Sequence, residues 1–128
     1  MKKIFTLIGI LILFTTTAFK KASGLDEVIG ALRSGNATEL SKYVDDNIEI
    51  SLPDRTDTYS RAQALMILQD FFKNNNVRAF EVKHKGDNGG SQFCIGTLQT
   101  RNGSFRTTVF MKTKNNRQLV KEIRFQPA

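Results

Sequence analysis

Four side chains carry what chemistry this sequence could do: Asp57, Tyr59, His84 and Cys94. His84 is the only histidine. An imidazole beside an apolar pocket can take a proton or donate a hydrogen bond to a ligand. It is flanked by Lys83 and Lys85 and lies two residues before Gly86, a setting that equally suits a solvated strand end. Asp57 is the best-placed acid for a carboxylate base, two residues before the Tyr59 phenol; as a turn residue it would do no chemistry. Cys94 is the only cysteine, so no intramolecular disulfide can form, and a thiolate nucleophile would need His84 beside it in space. A lone cysteine is more often a buried, inert apolar residue. No paired histidines or clustered carboxylates point to a metal, and no motif points to a cofactor.

The start of the chain accounts for part of its charge. Lys2 and Lys3 precede an apolar run from Ile4 to Phe14, followed by Thr15-Thr16-Thr17-Ala18. A short positive region, an apolar stretch of about 7–15 residues and a small residue at the cut make a secretory signal peptide. The uncharged run stops before Lys20, short of the ~20 residues that span a bilayer. The expected cut follows Ala18, so residues 1–18 are the signal; Ala22-Ser23-Gly24 offers a second cut, after residue 24. No cysteine lies near either cut, which excludes a cysteine lipid anchor. Export to the periplasm or outside follows. Loss of Lys2 and Lys3 lowers the formal charge from +7 to +5. That excess favours acidic surfaces without specifying one. Nucleic acid is not expected as a partner, because basic charge alone gives only salt-sensitive, non-specific binding and no helix is rich in Arg or Lys.

Hydropathy patterning orders the remaining elements. Leu25 to Arg33 reads as a helix, stopped by Gly35-Asn36, and a short helix from Ala37 to Tyr43 follows. Asn47 to Leu52 alternates, so it is a strand burying Ile48, Ile50 and Leu52. Pro53-Asp54 turns it into a short strand, Asp57 to Tyr59. Ser60 is placed to cap a third helix. On a helical wheel Ala64, Leu65, Ile67, Leu68, Phe71 and Phe72 fall in one arc, and Met66 alone lies on the polar side. Four strands come next: Val77 to Lys85, Gln92 to Arg101, Phe105 to Lys114 and Arg117 to Phe125. Asn102-Gly103 between the second and third is a strong two-residue hairpin signal. Helices and strands are segregated, which predicts an α+β fold: N-terminal helices, a β-hairpin, a third helix, then a four-stranded antiparallel meander forming one curved sheet with the helices on one face. Residues 25–126 make a single domain.

Tyr59-Ser60-Arg61 with Ala64, Leu68 and Phe71-Phe72 begins a recognisable pattern. It continues with Phe80, His84 and Gly86, then Ile95 to Thr100, Gly103, Phe105-Arg106 and Ile123-Arg124. The chain resembles the nuclear transport factor 2-like, cystatin-like cone proteins, and within them the secreted bacterial family known as domain of unknown function 4783. That resemblance implies a cone-shaped fold and a secreted location, and no activity. Where the family pattern leads one to expect proline after the third helix, this chain has Asn74-Asn75-Asn76.

Cone folds of this type resemble isomerases and dehydratases as well as plain binding modules, so the resemblance directs attention to the inward-facing strand positions. Alternation places Phe80, Val82 and His84 on one face of the first meander strand. It places Phe105, Thr107, Val109, Met111 and Thr113 on one face of the third, and Leu119, Lys121, Ile123 and Phe125 on one face of the fourth. The candidate pocket is therefore Tyr59, Phe80, His84, Phe105 and Met111. The other face would carry Cys94, Gly96, Leu98, Phe110 and Val120, rimmed by Arg106, Lys112, Lys114 and Arg124. An apolar patch rimmed by charge marks an interface. Leu98, Phe110 and Val120 are thus the expected partner face for a homodimer, as relatives of this fold pair through the sheet. The expected function is a non-enzymatic, exported domain binding a small apolar ligand or a protein partner. The alternative is an isomerase- or dehydratase-like enzyme using His84 or Asp57.

Overall fold

The computed structural model describes residues 24–128; the expected signal peptide and its cut lie outside them. The element order is α1 (Gly24–Ser34), α2 (Ala37–Ser41), β1 (Val44–Leu52), β2 (Arg55–Ser60), α3 (Arg61–Asn75), β3 (Val77–Asp87), β4 (Ser91–Thr100), β5 (Gly103–Lys114) and β6 (Arg117–Pro127). The fold is α+β, as the segregated pattern predicts. The sheet has six strands in the order β2-β1-β6-β5-β4-β3. It exceeds the four of the meander because β1 runs parallel to β6 and brings β2 with it. The sheet is therefore mixed rather than antiparallel throughout.

Local chemistry sets the element ends. Ser60 accepts from the Gln63 amide while the Gln63 side chain accepts from the Ser60 amide, a full capping box that satisfies two otherwise unpaired donors. α1 ends at Gly35 with φ 63°, and α3 ends at Asn76 with φ 58°, whose amide donates to the Phe72 carbonyl. Asparagine tolerates this left-handed conformation better than most residues. Asn74, Asn75 and Asn76 also hold the β4–β5 turn. Arg101 N–H donates to the Asn75 and Asn76 carbonyls, and the Asn102 side chain donates to Asn74 O and Asn75 Oδ1. In that turn the two loop residues are Arg101-Asn102. Gly103, with φ 123°, is already the first residue of β5, one position along from the expected Asn102-Gly103 pair. Asn115-Asn116, both at positive φ, make the two-residue turn between β5 and β6; positive φ at both positions matches strand twist.

The helices pack on one face of the sheet. α3 buries Ala64, Leu68, Phe71 and Phe72, and Leu65 and Ile67 pack at the edge of the core. Met66 is 65% exposed, as its place on the wheel requires. The Phe71 ring stacks on Phe125 at 4.4 Å and meets Phe105 edge-on at 5.2 Å; Phe72 meets Phe125 edge-on at 6.1 Å. Arg61 ties the start of α3 to β1, with Nε donating to the Val44 carbonyl and the guanidinium paired with Asp46 at 3.1 Å. Arg33 Nε reaches the Phe80 carbonyl, joining α1 to β3.

Replacing Ser60 with alanine removes the cap and should lower unfolding free energy by about 1 kcal/mol. Urea denaturation should show a lower midpoint with an unchanged slope, because the surface exposed on unfolding does not change.

Candidate functional site

Register decides which residues face the helices and which face outward. β4 and β5 pair as Gln92↔Met111, Cys94↔Val109, Gly96↔Thr107 and Leu98↔Phe105, and all eight residues are buried. The alternate rows, Ser91↔Lys112, Phe93↔Phe110, Ile95↔Thr108 and Thr97↔Arg106, lie on the outer face. β5 is phased as expected, but β4 has the opposite phase. Alternation places Leu98 on the partner face; the fold instead leaves it 0% exposed, packed in the core. The reason lies in β4 itself. Cys94 and Leu98 alternate with Phe93 and Ile95, so both faces are apolar and alternation cannot choose between them. Filling of the inner face by Phe80, Phe105 and α3 makes the choice.

Two bulges change the phase of the neighbouring strands. On β6, Phe110 pairs with Glu122 but Met111 pairs with Val120, so Lys121 is an extra residue. This carries Val120 to the inner face, where it is 0% exposed, against its expected place on the partner face. It also moves Lys121 out of the inward row. On β3, Val82 pairs with Gly96 but His84 pairs with Ile95, so Lys83 is extra. His84 is thereby an outer-face neighbour of Ile95 and exposed, not an inward pocket residue. A bulge adds one residue and reverses every later side chain. Period-two counting has no means of registering it.

The candidate pocket is therefore dispersed. Phe80, Phe105 and Met111 are core residues. Tyr59 is half-buried and packs against the core from β2. Asp57 pairs with Ile50 on the inner row of β2 and is exposed, whereas His84 is on the outer face of β3. β2 and β3 are the two edges of the sheet. Five strand spacings put Asp57 and His84 roughly 24 Å apart. They cannot act on one substrate atom. Cys94 is buried, and burial pushes its thiol up to about 11, with Lys85 and Arg33 opposing the rise; it is held as a thiol rather than a thiolate. Among the described residues no group of three or more His, Cys, Asp or Glu side chains could hold a metal, and no helix is long and apolar enough to cross a membrane.

Alternation alone misses the make-up of the outer face. Phe93, 39% exposed, and half-buried Phe110 sit side by side there. Gly86 pairs with Phe93, and a Cβ on Gly86 would stand 2.4 Å from the Phe93 ring, so the glycine makes room for the ring to lie across the edge strand. Gly96 does the same on the inner face, where a Cβ would meet the Phe80 ring at 2.7 Å and the Glu81 carbonyl at 2.5 Å. A hollow of about 440 Å³ is lined by Gly86, Asp87, Asn88, Ser91, Phe93 and Phe110. Beside it lies another of about 340 Å³, bounded by Lys83, His84, Ile95, Thr97, Arg106 and Ala128. The sequence does hold a signal for this face. Phe93 and Ile95 lie two apart in a strand whose intervening residues are equally apolar, which marks a strand with two apolar faces.

One buried charge organises the far side of the sheet. Asp45, 4% exposed, accepts from Lys121 at 2.9 Å and faces Lys114 at 3.5 Å. The Lys121 hydrogen bond holds its carboxyl down at about 2, aided by the Asp46 amide and opposed by desolvation. The extra residue of the β6 bulge is thus the one that neutralises the only buried acid among the described residues.

Comparison with known proteins gives the chain's relationships. The family profile described as "Domain of unknown function (DUF4783)" matches residues 25–126. A solved DUF4783 family protein from Bacteroides uniformis is 33% identical with a TM-score of 0.79, the match covering 80% of this chain and 95% of that one. Its counterpart from Bacteroides ovatus is 37% identical with a TM-score of 0.77, covering 80% and 93%. An NTF2-like protein of unknown function from Cytophaga hutchinsonii is 11% identical with a TM-score of 0.60, covering 85% and 93%; at that identity it shows the fold alone. No curated protein matches.

Two outcomes are expected of the buried groups. Asp45 has a folded pKa below its unfolded one, so its contribution to stability is present above about pH 4 and is lost as pH falls towards 2. Asp45→Asn should flatten the acid limb of a pH–stability curve and cost on the order of 1 kcal/mol at pH 7, the scale of one net hydrogen bond, since both lysines are about half exposed. Cys94 should resist a thiol-specific disulfide reagent in the native protein and react fully only after unfolding in urea.

Proposed function

The chain belongs to the DUF4783 family, and from that premise we propose that it is an exported, non-enzymatic binding domain whose partner is a protein docked on the outer face of the sheet. The observation that carries this reading is the exposed Phe93–Phe110 pair, laid across Gly86 and flanked by basic side chains. Solvated sheet faces are ordinarily polar, and exposed apolar patches rimmed by charge mark interaction surfaces. Export is supported by the signal-like residues 1–18. A homodimer remains one form this contact can take, now through Phe93, Ile95 and Phe110 rather than Leu98 and Val120.

The other readings have less support. A small apolar ligand needs space between sheet and helices, and the Phe71, Phe72, Phe105 and Phe125 rings contact one another there. Isomerase or dehydratase chemistry needs a paired acid and base at one site. His84 and Asp57 lie at opposite edges and on opposite faces.

The test is site-specific photo-crosslinking in cells that make the protein. A photoreactive residue at Thr108, on the outer face, should give a discrete protein adduct; the same residue at Met66 on α3 should give none. Adding Phe93→Glu should abolish the Thr108 adduct without lowering the melting temperature by more than a few degrees. Adducts from Met66 alone, or a large stabilising shift with lipophilic small molecules, would place the function elsewhere.

A further inference from the structure

Given that the outer face is the interaction surface, we propose that its occupant is an extended peptide segment carrying an acidic side chain about four residues from a bulky apolar one. The two adjoining hollows differ in chemistry. One is floored by the Phe93 and Phe110 rings. The other is bounded by three basic side chains, Lys83, His84 and Arg106, with Ile95 and Thr97 between them. Phe93↔Phe110 and Thr97↔Arg106 are rows four residues apart on the same two strands, so the aromatic row and the Arg106 row are about 13 Å apart at ~3.3 Å per residue. An extended segment running along β4 and β5 spans that distance with the same number of residues.

Charge selects an acidic segment. On this face Lys83 is paired with Glu81 at 3.3 Å, and Arg124 is paired with Glu122. Arg106 and Lys112 have no salt bridge or side-chain hydrogen bond among the described residues, and Arg106 lines the basic hollow. A guanidinium presents a planar fork that fits a carboxylate through two hydrogen bonds. Ala128 bounds the same hollow, held there by its amide, which donates to the Ser104 carbonyl.

A second copy meets this charge pattern less well. Two sheets that pack face to face keep their strands within about 30° of alignment. A two-fold parallel to the strands then sets Arg106 in the same row as its own counterpart. A two-fold across the strands sets it towards the Lys112 row. Where either axis passes close to the middle of β5, unpaired cations are brought together in a partly desolvated contact, which costs affinity. A separate acidic segment supplies the missing counter-charge.

The experiment uses fluorescence anisotropy with the purified protein and three short synthetic peptides: one with aspartate about four residues from phenylalanine, one with lysine replacing the aspartate, and one with serine replacing the phenylalanine. The expected result is binding of the first at least about tenfold tighter than either of the others, weakening as salt rises. Arg106→Glu should reverse the preference between aspartate and lysine peptides, and Phe93→Glu should abolish binding, both variants keeping the wild-type circular dichroism. Equal binding of the aspartate and lysine peptides overturns the inference. So does the absence of peptide binding when Thr108 crosslinks give an adduct of twice the chain mass, which assigns the face to a second copy and leaves the outer-face reading standing. If Thr108 gives no adduct and no peptide binds, the outer-face reading itself fails.

Discussion

The stacking of Phe71 on Phe125, with ring centroids 4.4 Å apart, is the contact around which the other elements are arranged. It joins α3 to β6, and through Phe105 to β5. With those three rings in place, the inner rows of β4 to β6 are determined: Leu98, Thr107, Val109 and Ile123 must follow. Burying aromatic surface gains ~25 cal/mol for each Å² removed from water, so slipping β4 by one residue would forfeit Leu98 and Cys94 from the core and put Phe93 there instead. The outer face is what that choice leaves exposed. Its aromatic pair is a consequence of how the core is filled, held in place by a glycine on the edge strand.

Most of the fold is legible in the sequence because its signals are local. Ser60 followed by Gln63 caps α3, Gly35 stops α1, and the Asn115-Asn116 pair turns β5 into β6. Each acts within four residues. The α3 stripe is legible too, since Leu68, Phe71 and Phe72 repeat at helical spacing, and Met66 falls outside it. Strand order is partly hidden. The parallel pairing of β1 with β6 joins residues more than seventy positions apart, and no short pattern encodes it.

The candidate site is less legible, for a reason that can be located. Alternation sets a face only when one row is mostly polar. β5 meets that condition, with Arg106, Thr108 and Lys112 outnumbering Phe110 in the row opposite Phe105, Val109 and Met111, and its phase can be read directly. β4 does not, so Leu98 reads as outward when it is buried. On β3 and β6 the single extra residues Lys83 and Lys121 reverse the phase of the strand, which carries His84 outward and Val120 inward. Lys121 then meets the buried Asp45 carboxylate, a pairing that helps explain why β6 carries a bulge at that position. The DUF4783 relatives, more than 30% identical over four-fifths of this chain, share the framework in which these phases arise.

The helices fill the inner face and leave the Phe93, Ile95 and Phe110 rows to solvent; everything proposed for the outer face rests on that division. Nuclear magnetic resonance with a soluble nitroxide measures it residue by residue, because the radical broadens only signals it can approach. The division predicts strong broadening of the Phe93 ring and the Ile95 methyls, weaker broadening of Phe110, and none for Leu98, Phe105, Phe125 or Val120. Broadening of Phe105 and Phe125 comparable to that of Phe93 would mean an open interior, and broadening of Leu98 with protection of Ile95 would mean the opposite register; either would contradict it.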